Sequence, residues 1–192
     1  MLLESLFWHE DPGSDALCSQ NCEHSGPFVH CLDCDSPLLL CHSCAVKKHH
    51  DIPLHRIRRW NGTHYESDSL ARLGLTFYLG HQGNPCPERH QNFVAQIIHV
   101  MDLNGLHNVQ IEWCRCPNSA SHASQLFQVA WMPATLSRPG TAFTFRVMKH
   151  FQMLSYVGRV TPWSFCTVIQ RLTDNVQTEL LPVSFILCSF LN

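Results

Sequence analysis

Hydrophobic residues fall two apart over residues 70–81 (LARLGLTFYLGH), at Leu73, Leu75, Phe77 and Leu79. That is the period of a half-buried strand. NFVAQIIHVMD (92–102) predicts a second strand, LHNVQIEW (106–113) a third, and Gln125 to Trp131 a fourth. Asn104-Gly105 lies between the second and third runs and signals a hairpin, so the pattern predicts an antiparallel sheet of about four strands. Pro133 and Pro139 flank ATLSR as a linker, and the period then lengthens. Thr141 is read as the cap of a helix with Phe143, Val147, Phe151, Leu154 and Tyr156 near one stripe, ended by Gly158. Thr161-Pro162 is a cap followed by a first-turn proline, opening a second helix with Phe165, Val168, Ile169 and Leu172. Both stripes are expected to pack on the sheet. The fold class is therefore α+β.

The flanks read differently. Leu2, Leu3, Leu6 and Phe7 suggest a short amphipathic helix, broken by DPGSD at 11–15. Residues 176–192 are apolar, interrupted by Pro182, and read as a frayed tail or a packing strand. Four segments follow: 1–17, a cysteine-rich module at 18–62, an α+β region at 63–175, and the tail at 176–192.

Cysteine spacing changes the picture most. Cys18-x3-Cys22, Cys31-x2-Cys34 and Cys41-x2-Cys44 are followed by His49 and His55, with His42 and His50 alongside. A short Cys-x2-Cys or Cys-x3-Cys turn delivers two thiolates to one ion, and structural zinc takes four Cys or His ligands in a closed tetrahedron. Four pairs therefore predict two zinc ions. Leu38, Leu39 and Leu40 just before Cys41 are read as a short strand and the small core beneath the metals. In B-box and ZZ fingers, which this order of pairs resembles, ligation is interleaved. That likeness assigns Cys18, Cys22, Cys41 and Cys44 to one ion, and Cys31, Cys34 and two histidines to the other.

A further set lies downstream. His81-x4-Cys86 and Cys114-x-Cys116 supply three thiols and an imidazole for a third ion. His107 competes for the fourth place, but on a strand it points away from 114 and 116, which favours His81. Only Cys166 and Cys188 are then unassigned.

Composition bounds what this can mean. In 192 residues, 45% are hydrophobic and 15% charged, consistent with a folded core. Eleven cysteines and fourteen histidines point to metal binding in an intracellular setting. The start of the chain lacks the basic region and apolar run of a secretory signal, and no apolar segment reaches the ~20 residues of a membrane span. The net charge of −2 excludes a generic polyanion binder. Locally, Lys47, Lys48, Arg56, Arg58 and Arg59 against Asp51 give a balance of +4, a candidate phosphate-contacting face. The chain carries no paired carboxylates or glycine-rich phosphate loop, and each Cys/His set fills its own tetrahedron, so no enzyme is expected.

The motifs CLDCDSPLLLCHSCAVKKHHDIPLHRIRRWNG, SLARLGLTFYLGHQGNPCP, DLNGLHNVQIEWCRC and QLFQVAWMPATLSRPGTAFTFRVMKHFQML with RLTDN run in order from about residue 2 to 175. Together they resemble the CxC-type cysteine-cluster domain found beside KDZ (Kyakuja–Dileera–Zisupton) transposases of fungal genomes. The resemblance implies metal ligation at Cys18, Cys22, Cys31, Cys34, Cys41, Cys44, His49 and His55, with His49 preferred to His50. It extends to His81, Cys86, Cys114 and Cys116, and His107 also matches a motif position. It further implies a nuclear accessory module without catalysis, touching DNA or a transposase subunit. A zinc-dependent peptide-binding module, with a groove at Leu38–Leu40 and Trp60, is the rival expectation. Members usually continue into an RNase H-like catalytic domain. Here the final residues depart from the pattern, so a fragment lacking that domain is expected.

Overall fold

The computed structural model describes residues 18–20, 22, 27–35, 38–88 and 95–175. The helix read over 2–9 and the tail 176–192 lie outside the described residues. The chain divides into two compact units, Met1–Leu75 and Thr76–Asn192.

In the first unit, β1 (Phe28–Cys31) and β2 (Leu39–Cys41) form an antiparallel hairpin in which Phe28 faces Cys41 and Val29 faces Leu40. β3 (Ile57–Trp60) pairs with the other edge of β1, and β4 (Tyr65–Asp68) with β3, giving the order β2-β1-β3-β4. Between β2 and β3, helix α1 (His42–Lys48) drops Ala45 onto Val29, Leu40 and Ile57. Leu38 and Leu40 therefore pack into a core, and Leu39 packs beside Phe28, Cys18 and Cys41. Asn61 does make a turn, its side-chain carbonyl accepting from the Thr63 and His64 amides at 2.9 Å. That turn leads into β4, so the unit runs past residue 62.

The second unit holds a five-stranded sheet of order β5-β7-β6-β9-β8. Its strands are β5 (Thr76–Tyr78), β6 (Gln96–Asp102), β7 (Gly105–Glu112), β8 (Trp131–Pro133) and β9 (Thr141–Thr144). The predicted hairpin is β6–β7, closing with Asp102 opposite Gly105. Gly105 is required there: its φ is +143°, and a Cβ would meet Thr173 Oγ1 at 2.8 Å. The sheet is mixed, not antiparallel, because β5 runs parallel to β7 and β6 parallel to β9. Phe77 of β5 and Trp131 of β8 stack at 5.2 Å although they stand on opposite edge strands. Five flat strands at about 4.8 Å spacing would hold those edges near 19 Å apart, so the sheet curls strongly.

Helix α2 (His122–Gln128) covers the first four residues of the stretch read as a fourth strand, of which only Trp131 is extended, at the start of β8. Ser121 accepts the Ser124 amide as its cap, and Ala123 and Leu126, three apart, are buried on one face. Seven residues hold too few apolar positions to separate the two periods. The run at 70–81 is likewise divided. Residues 70–74 form a turn closed by the Leu75 amide on the Leu70 carbonyl (2.9 Å), and only Thr76–Tyr78 are extended.

Helices α3 (Phe145–Gly158) and α4 (Pro162–Thr173) follow the sheet. Thr141 does not cap α3, since residues 141–144 form β9, and Thr144 takes that role through the Val147 amide. Thr161 caps α4 with proline in its first turn. Val147, Phe151, Phe165, Cys166 and Ile169 pack with Met101 and Phe143 as the core. Leu154, Tyr156, Val168 and Leu172 of the predicted stripes are exposed instead, Tyr156 at 86%. Pro133 belongs to β8, so the connection of the second unit is shorter than the proline pair suggested.

Candidate metal centres

The β1–β2 hairpin explains why alternate pairs meet. Cys31 ends β1 and leads into Cys34, whereas Cys41 returns beside Phe28 at the other end of the hairpin. One pair is thus delivered to each end, roughly 10 Å apart at 3.3 Å per residue. Cys18 and Cys22 join Cys41 and Cys44, and His49 and His55 join Cys31 and Cys34. His49 belongs to this group and His50 does not. The His49 Nε2 lies 3.4 Å from Cys34 Sγ, while His50 is bonded to Asp51 at 2.8 Å. His49 Nδ1 donates to the Ala45 carbonyl at 2.8 Å, which fixes the tautomer and leaves Nε2 as an acceptor facing the thiols. Burial holds His49 below its ordinary pKa, in the neutral form a ligand needs.

The third group is His81, Cys86, Cys114 and Cys116. Here Nε2 of His81 lies 3.2 Å from Cys114 Sγ and 3.4 Å from Cys116 Sγ. His107 is elsewhere, buried and bonded to Asn104 at 2.8 Å. Two features that place these side chains lie outside the Cys/His spacing pattern. Gly80 has φ +88°, and a Cβ there would stand 3.1 Å from Cys114 Cβ. Buried Gln125 accepts the Cys114 amide (2.9 Å) and donates to the Cys114 carbonyl (3.0 Å), as a neighbouring strand would. Gly80-His81 is visible as a motif, but Gln125 becomes legible only once α2 is seen. Gly80→Ala is expected to destabilise this unit by about 1–3 kcal/mol, because φ 88° with ψ −177° is a conformation essentially reserved to glycine. Denaturant unfolding measures it, and a variant matching the parent refutes it.

In each group the donor atoms lie within 4.8 Å of one another. A tetrahedral ion bonded at about 2.3 Å to sulfur and about 2.05 Å to nitrogen has S–S edges near 3.8 Å and S–N edges near 3.5 Å. The observed S–S separations are 3.5 Å (Cys22–Cys41), 3.6 Å (Cys22–Cys44) and 3.8 Å (Cys86–Cys116). The S–N separations at Cys31–His55, Cys34–His49 and Cys34–His55 are 3.4, 3.4 and 3.5 Å. A disulfide would need about 2.05 Å, and none joins the described cysteines.

The thiols also show the crowding that a cation relieves. Burial pushes Cys41 up, but the Ser43 hydroxyl and neighbouring donors bring it to about 6. Cys44, bonded to Cys41 and Cys22, is pushed up to about 12. Burial and then Cys34 raise Cys31 to about 12. In the third group burial raises Cys86, yet the Arg115 and Glu88 amides bring it to about 7, while burial and Cys114 lift Cys116 to about 11. Adjacent thiols cannot all ionise by themselves, and a bound divalent ion lets them do so. All three groups can hold a metal ion.

The basic segment is less uniform than its sequence. Arg56 clasps Asp33, inside the Cys31–Cys34 turn, at 2.7 Å, and its own amide donates to the same carboxylate. Arg59 pairs with Asp68 at 3.0 Å. Lys47, Lys48 and Arg58 are exposed and make no ion pair among the described residues.

Interleaved Cys/His pairs on one small sheet, with a Cys3His group on a second α+β unit, define a protein of Cys/His clusters that can hold metal ions. Residues 70–177 match the family model described as CxC2 like cysteine cluster associated with KDZ transposases; this exceeds half of the 192 residues, and the chain belongs to that family. The match spans the third group and begins after the first two, whereas the sequence motifs carry the resemblance back to residue 2. No curated protein and no solved structure matches the chain. Among the described residues no helix is long and apolar enough to cross a membrane.

Proposed function

We propose that this chain is a zinc-binding, non-catalytic accessory module of a KDZ-type transposase, acting in the nucleus and contacting DNA or a transposase subunit. The observation that carries this reading is the convergence of twelve Cys and His side chains into three four-donor groups of tetrahedral size. Sulfur-rich closed sets favour zinc as a structural ion over magnesium or calcium, which take oxygen ligands. Each group uses its four donors on the ion, so its role is to fix loops. Cys18, Cys22, Cys31, Cys34, Cys41, Cys44, His49 and His55 would hold two ions, and His81, Cys86, Cys114 and Cys116 a third. Metal analysis of the purified, reduced protein should return three zinc ions per chain; none would end the reading.

DNA contact would fall to Lys47, Lys48 and Arg58, because Arg56 and Arg59 are engaged with carboxylates. Replacing those three by alanine is expected to flatten the slope of log affinity against log salt by up to about 3. Arg56→Met and Arg59→Met should change stability and leave the slope near that of the parent. DNA affinity that ignores salt, or a slope moved equally by all five, rejects this assignment.

The second reading is a protein contact, favoured by the apolar surface of α3 and α4. Phe145, Met153, Tyr156, Val157 and Trp163 are exposed there. A groove of about 1110 Å³ opens among Met132, Phe145, Met148, Lys149, Gln152 and Tyr156. Retention of a transposase catalytic chain after nuclease treatment, lost in Tyr156→Asp, would favour this reading over DNA.

A further inference from the structure

The three histidines that face thiols are not held alike. His49 is fully buried, and its second ring nitrogen is tied to the Ala45 carbonyl at 2.8 Å. His55 is half-buried and packs edge-on against His49, with ring centroids 5.3 Å apart. His81 is exposed, and among the described residues its Nδ1 has no hydrogen-bond partner. Outer partners of this kind orient a ligating imidazole and raise its basicity, and the described residues give His81 none.

The backbone beneath His81 adds to the difference. Gly80, His81, Gln82 and Gly83 have φ of 88°, 46°, 56° and 81°, four left-handed residues in succession. Two of them carry a Cβ, and L-residues with side chains resist that region. Such strain persists only where surrounding contacts enforce it. Here those contacts are the Asn84 amide and side chain on the His81 carbonyl, at 3.1 Å each. The three thiols are better secured, since Cys86 is buried, Cys114 is gripped on both backbone groups by Gln125, and the Cys116 carbonyl accepts the Ser119 amide at 2.8 Å.

We infer that the third centre is an exchangeable site: Cys86, Cys114 and Cys116 retain the ion, and His81 swings out to admit an external imidazole or thiolate donor. This rests on the metal reading of that group and goes beyond it, because the site becomes a place where another molecule can attach through the ion. Relaxation of the left-handed turn favours His81 departure, and the exposed side of the group receives the incoming donor. The centres of the first unit, with buried or half-buried ligands throughout, stay closed.

The test uses the full chain loaded with Co²⁺, whose visible bands report tetrahedral sulfur–nitrogen ligation. In the parent, a chelator should withdraw one of three ions at least about 10-fold faster than the others, by the scale of an absent outer partner. That fast phase should vanish in Cys116→Ser. His81→Ala should still bind three ions, and added imidazole should restore the parent spectrum. His49→Ala should lose an ion that imidazole does not restore. Three ions leaving at one rate, or His81→Ala losing its ion without rescue, would overturn the proposal while sparing the metal reading. A parent that binds two ions, with Cys116→Ser unchanged, would remove both.

Discussion

Chelation under reducing conditions is expected to unfold the first unit while the core of the second persists. Among its described residues the first unit has little else to hold it. Their main cluster is Val29, Leu40, Ala45, Ile57, Leu70 and Leu75 together with Cys31, and a smaller one joins Phe28 and Leu39 to Cys18, Cys22 and Cys41. Strands of three and four residues form a marginal sheet by themselves. Apparent binding free energies of structural zinc in small fingers are about 10–16 kcal/mol, equal to or above the roughly 5–15 kcal/mol that stabilises a typical domain. Cys41→Ser or Cys34→Ser should therefore act almost as strongly as chelation, each opening one end of the β1–β2 hairpin. The second unit buries Met101, Phe143, Val147, Phe151, Phe165 and Ile169, which do not depend on an ion. Amide-resolved spectra with and without chelator separate the units. A first unit that stays ordered after complete metal removal would show that its core suffices.

The next largest effect is expected at Arg146→Met. Asp102 ends β6 with no exposed surface, and accepts the Thr144 hydroxyl and Arg146 Nε at 2.6 Å each, with a second contact from Arg146 Nη2. Thr144 also caps α3, so one carboxylate ties the sheet to the helix that carries much of the core. Removing the guanidinium leaves a buried charge with a hydroxyl and one amide. The cost should be about 3 kcal/mol, the low end for breaking a buried pair, because the arginine side chain is itself 60% exposed. Burial raises the Asp102 pKa, but hydrogen bonds from Arg146 and Thr144 outweigh it and hold the group below the ordinary carboxylate range. A depressed pKa contributes stability above the unfolded value of about 3.9, which is lost as pH falls through the folded value. The gap between parent and Arg146→Met in denaturant unfolding should thus be full at neutral pH and narrow below about pH 4. A gap under about 0.5 kcal/mol at neutral pH would mean that the pair contributes no more than an exposed one.

How much could be read in advance depended on the range of the interaction. The hairpin at Asn104-Gly105, the Thr161-Pro162 helix start and the short strand before Cys41 are set within a few residues, and the structure has all three. Helix α2 was misread because its burial alternates over too short a span to choose a period. The two parallel pairings were hidden because parallel neighbours are joined through long connections, and strand patterns do not say which edge a strand will take. The five basic residues looked equivalent in a linear count. The register of β3 against β4 set Arg59 beside Glu66 and near Asp68, and the fold of the Cys31–Cys34 turn set Asp33 against Arg56.

The chain by itself determined its chemistry: paired thiols and imidazoles at ligand spacing, an α+β pattern, and the motifs of the CxC2 family. These are local properties, since a two- or three-residue turn fixes where two donors point whatever surrounds it. Tertiary structure decided which pairs meet, which histidine turns inward, and which cations remain free. Those outcomes depend on strand reversal, on a carbonyl such as that of Ala45 lying within reach, and on carboxylates from distant positions, none of which a linear spacing encodes.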